Sequence, residues 1–182
     1  SLAAGRELGL APERIYASGR ALITGEKAHP EGADVIAIMT PNDTHYAFAR
    51  AALDAGLDVI ADKPVTTTAA EARDLQQRAI AGQRLFAIAH GYAAYPMTRM
   101  ARHLVQAGEI GALRFVQVEY IQSGLATRVE DGAQSNRLRW VLDPTRSGLA
   151  LVMSAIGCHT QHLASFCSGQ RVARVVADVG TL

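Results

Sequence analysis

A lysine stands directly after a hydrophobic run in the segment VIADKPVTTT, residues 59–68. Residues 59–61 have the character of a buried strand, and Asp62-Lys63-Pro64 follows without a spacer. An amine in a partly dry cleft at a strand end can donate or accept a proton, because burial and a nearby cation both favour its neutral form. Pro64 restricts the backbone of Lys63 to extended geometry. The Asp62 carboxylate could orient the amine or accept a hydrogen bond from a ribose hydroxyl; a surface salt bridge is the alternative.

Two further polar segments follow hydrophobic runs. ADVIAIMT, residues 33–40, leads into Pro41-Asn42, and RLFAIAH, residues 84–90, ends in His90. Short continuous apolar runs are typical of parallel strands that are covered on both faces. Ligands bind beyond the carboxyl ends of such strands. We therefore expect Thr40-Pro41-Asn42, Asp62-Lys63-Pro64 and His90-Gly91-Tyr92 to face one crevice.

Two side chains near the first of these segments have alternative roles. The Asn42 amide could bind a ribose or a carboxamide, or it could cap the helix that follows. His45 lies on the first turn of that helix, where it could be near a cofactor or could be packed and hydrogen-bonded inside the protein.

Helical patterns separate the predicted strands. HYAFARAALDAG, residues 45–56, has an apolar face and a glycine stop at Gly56. Thr68 and Glu71 form a capping-box pattern before a second helix, AAEARDLQQRAIAG, residues 69–82. Alternating strands and helices with short connections predict an α/β fold with a parallel sheet and right-handed crossovers.

The pattern changes after about residue 91, where we predict a domain boundary. An amphipathic helix is predicted over 95–111, with either Gly108 or Gly111 ending it. A half-covered strand over 113–122 and a polar loop over 123–147 follow. A helix from about Leu149 to Cys167 and a strand over 171–180 follow. The chain thus divides into residues 1–90, with the parallel sheet, and residues 91–182, an α+β unit.

Composition excludes several classes of protein. The hydrophobic share of 49% and the net charge of +1 describe a soluble globular protein with no electrostatic reason to bind nucleic acid or an anionic membrane. The uncharged stretch 147–170 contains histidines and serines that are costly in lipid, so a buried helix is predicted there.

Two cysteines without a CxxC pair suit a reducing cytoplasm. No metal site is expected, because Cys158, His159, His162 and Cys167 lack zinc-ligand spacing.

Several segments together resemble the Gfo/Idh/MocA oxidoreductases, the glucose–fructose oxidoreductase and inositol dehydrogenase group. They are DVIAIMTPNDTHYAFARAALDAGLDVIADKPV, AGEIGALRFVQVEY, RWVLDPTRSG and IGCHTQHLASFCSG. The first carries a T-P-N-x-x-H turn, an A-L-x-A-G helix end and an acid-K-P motif. The resemblance extends over nearly the whole chain, and it implies a partial Rossmann-type sheet followed by part of an α+β domain with a mostly antiparallel sheet.

The resemblance also implies a site. Lys63 would lie beside the nicotinamide of NAD or NADP and assist proton transfer, together with His159. Arg139 and Trp140 would contact a sugar or polyol substrate, with a structural stacking pair as the alternative; His159 would contact it too. A cytoplasmic homo-oligomer is expected by analogy. The residues expected around the cofactor are Thr40, Pro41, Asn42, His45, Asp62, Lys63, Pro64 and His90.

The sequence departs from the family pattern in two places. The family motif D-[I/V]-G-x-H reads AIGCH here, so that Ala155 replaces the aspartate while His159 matches the histidine. The sixteen glycines include no G-x-G pair, and the phosphate loop is therefore absent from this sequence. We expect an internal piece of a longer protein or a truncated copy, with impaired affinity for NAD(P).

Three hypotheses follow from these observations. The first is a nicotinamide-dependent sugar or polyol dehydrogenase that moves a hydride between the cofactor and a secondary alcohol. The second is a non-catalytic member of the same family that binds a ligand or a partner, which Ala155 and the missing glycine loop favour. The third is a structural fragment that associates through exposed sheet edges.

Overall fold

The computed structural model describes residues 2–121, 123, 140–148, 153–178 and 180. These residues form two compact units. The first contains the described residues of 1–89 and 127–154, and the second contains those of 90–126 and 155–182. None of the helices within these ranges is long and apolar enough to cross a membrane.

A parallel three-stranded sheet forms the centre of the first unit. Its strands are β1 (Val35–Ile38), β2 (Asp58–Ala61) and β3 (Phe86–Ile88), in the order β1-β2-β3. The last residue of β2, Ala61, is in register with Ile38 of β1 and with Ile88 of β3. The carboxyl ends of the three strands therefore lie at the same edge of the sheet, and the predicted α/β fold is confirmed.

Two helices connect these strands and complete the core. Helix α3 (Asn42–Asp54) joins β1 to β2, and α4 (Ala69–Ala81) joins β2 to β3. The apolar spacing of α3 buries Ala49, Ala52 and Leu53 against the sheet, as the sequence pattern predicts. Gly56 has φ +74°, which provides the helix stop that only glycine adopts without strain.

The predicted cap of α4 is confirmed in one of its two halves. The Thr68 hydroxyl accepts a hydrogen bond from the Glu71 N–H at 3.3 Å. The Glu71 carboxylate accepts one from the Thr67 hydroxyl, also at 3.3 Å. In a full capping box, the Glu71 carboxylate would accept a hydrogen bond from the N–H of Thr68. Here it accepts one from the hydroxyl of Thr67 instead.

The chain before the sheet is attached through a buried carboxylate. It contains α1 (Leu2–Glu7), a 3₁₀ turn (Pro12–Arg14) and α2 (Gly19–Ala28). On α2, the Glu26 carboxylate accepts hydrogen bonds from the Arg14 guanidinium, the Tyr16 hydroxyl and the Ala33 N–H. These donors, Arg14 first, lower the pKa of Glu26 to about 2.

A short helix from the far part of the sequence also belongs to the first unit. Helix α6 (Pro144–Ser147) begins at Asp143, whose carboxylate accepts a hydrogen bond from the Thr145 N–H at 2.9 Å. The prediction of a loop through residue 147 is wrong here, because an aspartate cap and a proline at the first helical position start a helix. Helix α6 packs on α3.

The second unit consists of helices that pack on each other. A 3₁₀ turn (Gly91–Ala94) precedes α5 (Pro96–Gln106), and α7 (Cys158–Ser168) ends at Gly169, with φ +72°. The Arg102 guanidinium of α5 lies 4.4 Å from the centre of the Phe166 ring of α7. The predicted helix from Leu149 differs from the observed one, since a π-helical turn (Met153–Gly157) precedes α7 and residues 149–152 lie outside the described residues.

The antiparallel sheet predicted for the second half is not present in the described residues. Neither 113–121 nor 171–178 forms a strand. Phe115 is 78% exposed and Ile121 is 91% exposed. A strand requires a hydrogen-bonded neighbour, and an alternating pattern does not supply that neighbour.

Candidate functional site

The segment after β2 is tied to the sheet through its backbone. The Asp62 N–H donates to the carbonyl of Ile38 at 2.8 Å, which continues the pairing with β1 beyond the end of the strand. The Asp62 carboxylate accepts a hydrogen bond from the N–H of Lys63 at 2.8 Å. Lys63 is half-buried, and its peptide bond to Pro64 is cis. Asp62 therefore holds the backbone of Lys63, which adds to the two roles that the sequence suggested for its carboxylate.

His45 links the segments that follow β1 and β2. Its Nδ1 lies 2.8 Å from the carbonyl oxygen of Pro64, and its Nε2 lies 2.7 Å from that of Thr40. The side chain is 1% exposed. The predicted contact between His45 and a cofactor therefore needs correction, because both ring nitrogens face carbonyls of the protein. The packed and hydrogen-bonded alternative describes this ring.

The turn after β1 presents one polar group outward and holds another inside. Thr40 is exposed, and its hydroxyl lies 2.6 Å from the hydroxyl of Thr44. Asn42 is 9% exposed, and its amide donates to the carbonyl of Ser147 at 3.0 Å. The capping role considered for Asn42 is wrong, since Pro41 occupies the cap position. The Asn42 amide instead attaches α6 to the start of α3.

An ion pair accompanies that attachment. The Arg146 guanidinium donates to the Asp43 carboxylate at 3.0 Å, beside the buried bond from Asn42 to Ser147. Gly148 follows with φ +94°, and a Cβ built there would lie 3.8 Å from the Cβ of Thr67. The segment Asp143–Gly148 thus lies against the residues that follow both β1 and β2.

Aromatic rings surround the predicted catalytic histidine in the second unit. His159 is 9% exposed, and its ring centre lies 4.6 Å from that of Tyr92 in an edge-to-face arrangement. The His90 ring is stacked on the His162 ring at 3.9 Å, with 5° between the planes. The His90 ring also lies 6.0 Å from the His159 ring, edge to face. Burial lowers the pKa of His162.

This cluster continues in two directions. The Tyr92 hydroxyl lies 2.7 Å from the hydroxyl of Tyr120. The His162 and Phe166 ring centres lie 5.9 Å apart in a stacked arrangement, and the Arg102 guanidinium lies over the Phe166 ring. The cluster therefore holds the His159 imidazole among rings that restrict its orientation.

The predicted site residues fall into two groups. The first unit brings together the two segments that leave β1 and β2; the second unit brings His90 and His159 together. Trp140 is half-buried in the first unit, and Arg139 lies outside the described residues. The first group comprises Thr40, Pro41, Asn42, His45, Asp62, Lys63 and Pro64.

Sequence reasoning did not predict that Tyr92 and His162 belong to the ring cluster around His159, and it did not identify Ser147 as the partner of Asn42. His162 lies three positions after His159 on one helix, and that spacing places both on one face. Tyr92 follows His90 by two positions, which is a weaker signal. Ser147 is 105 positions from Asn42, and nothing in the local sequence indicates their contact. In the described part of the chain, no group of three or more His, Cys, Asp or Glu side chains could hold a metal ion.

Two family models match the chain and cover most of it. Residues 16–90 match the oxidoreductase family with an NAD-binding Rossmann fold, and residues 98–182 match the GFO/IDH/MocA C-terminal domain. Among curated relatives, the uncharacterized oxidoreductase YfiI of Bacillus subtilis is 31% identical over 87% of this chain and 40% of its own length. A D-xylose 1-dehydrogenase (NADP(+)) of Haloferax volcanii is 33% identical over 84% of this chain and 41% of its own.

Solved structures of oxidoreductases also match this chain over most of its length. An inositol dehydrogenase homolog from Azotobacter vinelandii, complexed with NAD+, is 33% identical and has a TM-score of 0.84 over 90% of this chain and 41% of its own. The same protein complexed with NADH and myo-inositol has a TM-score of 0.80 at 32% identity, over 91% of this chain and 41% of its own. The chain thus spans about two fifths of the length of the relatives that it matches.

Proposed function

Because the chain belongs to the Gfo/Idh/MocA oxidoreductase family, we propose that it supplies the nicotinamide end of a dehydrogenase site for a sugar or polyol. The observation that carries this proposal is the edge of the sheet in the first unit. There the segments Thr40-Pro41-Asn42 and Asp62-Lys63-Pro64 are held together, with Lys63 half-buried between solvent and protein.

The proposed reaction is hydride transfer from the carbon of a secondary alcohol. NAD(P), when bound, supplies the hydride acceptor. As the C–H bond breaks, the hydroxyl proton must leave, so that the alcohol becomes a carbonyl and loses two electrons and two hydrogens in total. We assign the removal of that proton to the Lys63 amine, because an amine is a group that can take part in general acid–base catalysis and Lys63 is half-buried at the edge of the sheet where ligands bind.

His159 is the second proposed proton carrier. Its imidazole is buried among aromatic rings that restrict its orientation, which favours a defined direction of proton transfer. Ala155 stands where the family has an aspartate, so His159 is the proposed proton carrier of that motif. Arg139 and Trp140 are proposed to contact the substrate.

The residues around the strand ends fit the nicotinamide and ribose half of a dinucleotide. The exposed Thr40 hydroxyl and the half-buried Lys63 supply polar groups at the edge where α/β sheets bind ligands. We propose that Thr40, Pro41, Asn42, Asp62, Lys63, Pro64 and His90 contact the cofactor. The pyrophosphate half lacks a glycine-rich loop in this sequence, so affinity of the isolated chain for NAD(P) should be low.

The comparisons support a sugar or polyol as the substrate class. The relatives include a D-xylose dehydrogenase that uses NADP(+) and a homolog whose structure contains NADH and myo-inositol. Both nicotinamide cofactors occur among them, and either is compatible with the described residues. A cytoplasmic homo-oligomer, with residues 1–90 as the cofactor domain and 91–182 as the substrate domain, remains part of the proposal.

Turnover by the full-length gene product tests this function. The protein is incubated with NAD+ or NADP+ and, separately, with myo-inositol, D-xylose and other polyols, while reduced nicotinamide and the ketone or lactone product are measured together. The proposal expects equal amounts of both products with at least one substrate. Tight binding of NADH or NADPH without any turnover on the panel would contradict it and favour the non-catalytic alternative.

A further inference from the structure

His45 is a polar side chain placed where an apolar one would be expected. The other buried positions of α3 that face the sheet are Ala49, Ala52 and Leu53, whereas His45 is 1% exposed and has two ring nitrogens to satisfy. A buried polar ring is costly unless each nitrogen has a partner. The partners of this ring are therefore the reason that a histidine can occupy the position.

Both partners are backbone carbonyl oxygens, one from each of two segments. The Thr40 carbonyl belongs to the segment after β1, at 2.7 Å from Nε2, and the Pro64 carbonyl belongs to the segment after β2, at 2.8 Å from Nδ1. A carbonyl oxygen can only accept, so each contact is a hydrogen bond only where that ring nitrogen carries a hydrogen; the neutral ring has one N–H and donates it to one of the two carbonyls. The plane of one imidazole fixes the separation between the two carbonyls.

The second of these carbonyls is adjacent to Lys63 along the chain. If the Pro64 carbonyl moved, the segment Lys63–Pro64 would turn relative to the sheet. Strand β2 itself would stay in place, because it is paired with β1 and β3. On the other side of Lys63, the Asp62 N–H donates to the Ile38 carbonyl and the Lys63 N–H donates to the Asp62 carboxylate. The His45 side chain thus contacts both strand-end segments at once.

We propose that His45 is a positioning residue that fixes Lys63 by linking the carbonyls of Thr40 and Pro64. The inference rests on the proposed function for its effect on catalysis, while its structural part stands on the geometry alone. His45 touches neither substrate nor cofactor in this scheme and acts through the Lys63–Pro64 segment.

Amide hydrogen exchange in the purified chain tests the structural part. In His45→Gln, the amides of Asp62 and Lys63 should exchange about tenfold faster than in the unmodified chain, which is the effect of losing one hydrogen bond that supports them. His103→Gln, an exposed histidine on α5, is the matched control and should leave both rates unchanged. Unchanged rates in His45→Gln would overturn the proposal.

A measurement on the unmodified chain covers the case in which the variant does not fold. At least one His45 ring N–H should give a slowly exchanging proton resonance with a contact to the residue that carries the accepting carbonyl. A His45 ring whose N–H protons all exchange at the solvent rate would overturn the proposal without any substitution.

A double-substitution cycle in the full-length gene product tests the catalytic part. His45→Gln should lower kcat about tenfold in the wild-type background and less than twofold in the Lys63→Met background, because both changes affect the same group. Tyr46→Phe, which removes the hydroxyl that donates to Asp74, is the control and should show equal effects in both backgrounds. Equal factors for His45→Gln in both backgrounds would overturn the positioning role.

The two failures are distinguishable. If Lys63→Met leaves turnover unchanged, the proposed proton-transfer role of Lys63 fails, although faster exchange at Asp62 and Lys63 would still support the link through His45. If Lys63→Met abolishes turnover while exchange in His45→Gln is unaltered, the function stands and the positioning role fails.

Discussion

The two units differ in what holds them together. Every fully buried hydrophobic side chain among the described residues lies in the first unit, around β1, β2, α3 and α4. In the second unit, the described contacts include several made by rings, such as the stacked pair His90–His162 and the Arg102–Phe166 contact. The first unit therefore carries its own core, which is the condition for holding a strand-end lysine in one place. The second unit has less apolar burial of its own.

Deleting core volume should produce the largest difference between the units. Leu75 of α4 is 1% exposed, and Leu75→Ala should lower the free energy of unfolding by about 2–4 kcal/mol. Phe166→Ala in the half-buried ring cluster should cost about 1 kcal/mol. Urea unfolding checks both values, with the fluorescence of Trp140 reporting on the first unit. Equal losses would contradict the difference in packing.

Glu26 gives the first unit a specific sensitivity to acid. Folding lowers the pKa of this carboxylate from 4.5 to about 2, so its stabilisation is complete above pH 4.5 and is lost as the pH falls towards 2. Glu26→Gln should cost about 1–3 kcal/mol at neutral pH and almost nothing near pH 2. Urea unfolding at both pH values measures this. A loss that is the same at pH 2 and pH 7 would contradict the role of the charge.

Helix α6 is attached to α3 by a buried hydrogen bond and by a partly exposed ion pair, and substitutions can test the two interactions one at a time. Asn42→Ala should lower the free energy of unfolding by about 1–2 kcal/mol, because it leaves the buried carbonyl of Ser147 without its donor. Arg146→Ala removes only a partly exposed pair with Asp43 and should cost about 0.5 kcal/mol or less. Thermal unfolding compares the two variants. The reverse order would show that the charge, rather than the amide, attaches α6.

His162 should give the second unit a smaller response to pH. Burial lowers the pKa of this ring below 6.5, so the folded protein favours the neutral ring and loses stability as the pH falls below that value. His162→Phe should weaken that loss of stability between pH 7 and 5 while keeping a ring to stack on His90. An NMR titration of wild-type His162 should have its midpoint below 6.5. A midpoint above 6.5 would contradict the effect of burial.

Local patterns predicted the first unit well. The apolar runs gave the three strands, Gly56 gave the end of α3, and Thr68 gave the start of α4, since each depends on neighbours in sequence. The contact of Asn42 with Ser147 and the link through His45 depend on which segments meet in three dimensions. A sequence pattern shows that His45 is near a strand end but not which carbonyls its ring will face.

The second unit shows where such patterns are insufficient. Residues 113–121 alternate as a half-covered strand should, yet strand formation requires a partner that alternation does not identify. Residues 153–157, which the sequence pattern assigned to one continuous helix, form a π-helical turn that periodicity does not reveal. The departure at Ala155, in contrast, was visible from the sequence motif alone.

We propose that Lys63 carries the proton in the reaction. The chain has only two lysines, and Lys27 is exposed near Gly56, at the opposite edge of the sheet from Lys63. The deciding measurement is kcat of the full-length gene product with Lys63→Met beside Lys27→Met, using a polyol that the wild type oxidises. We expect kcat to fall about 10²–10⁴-fold in Lys63→Met and less than about twofold in Lys27→Met. Equal activity of the two variants would contradict it.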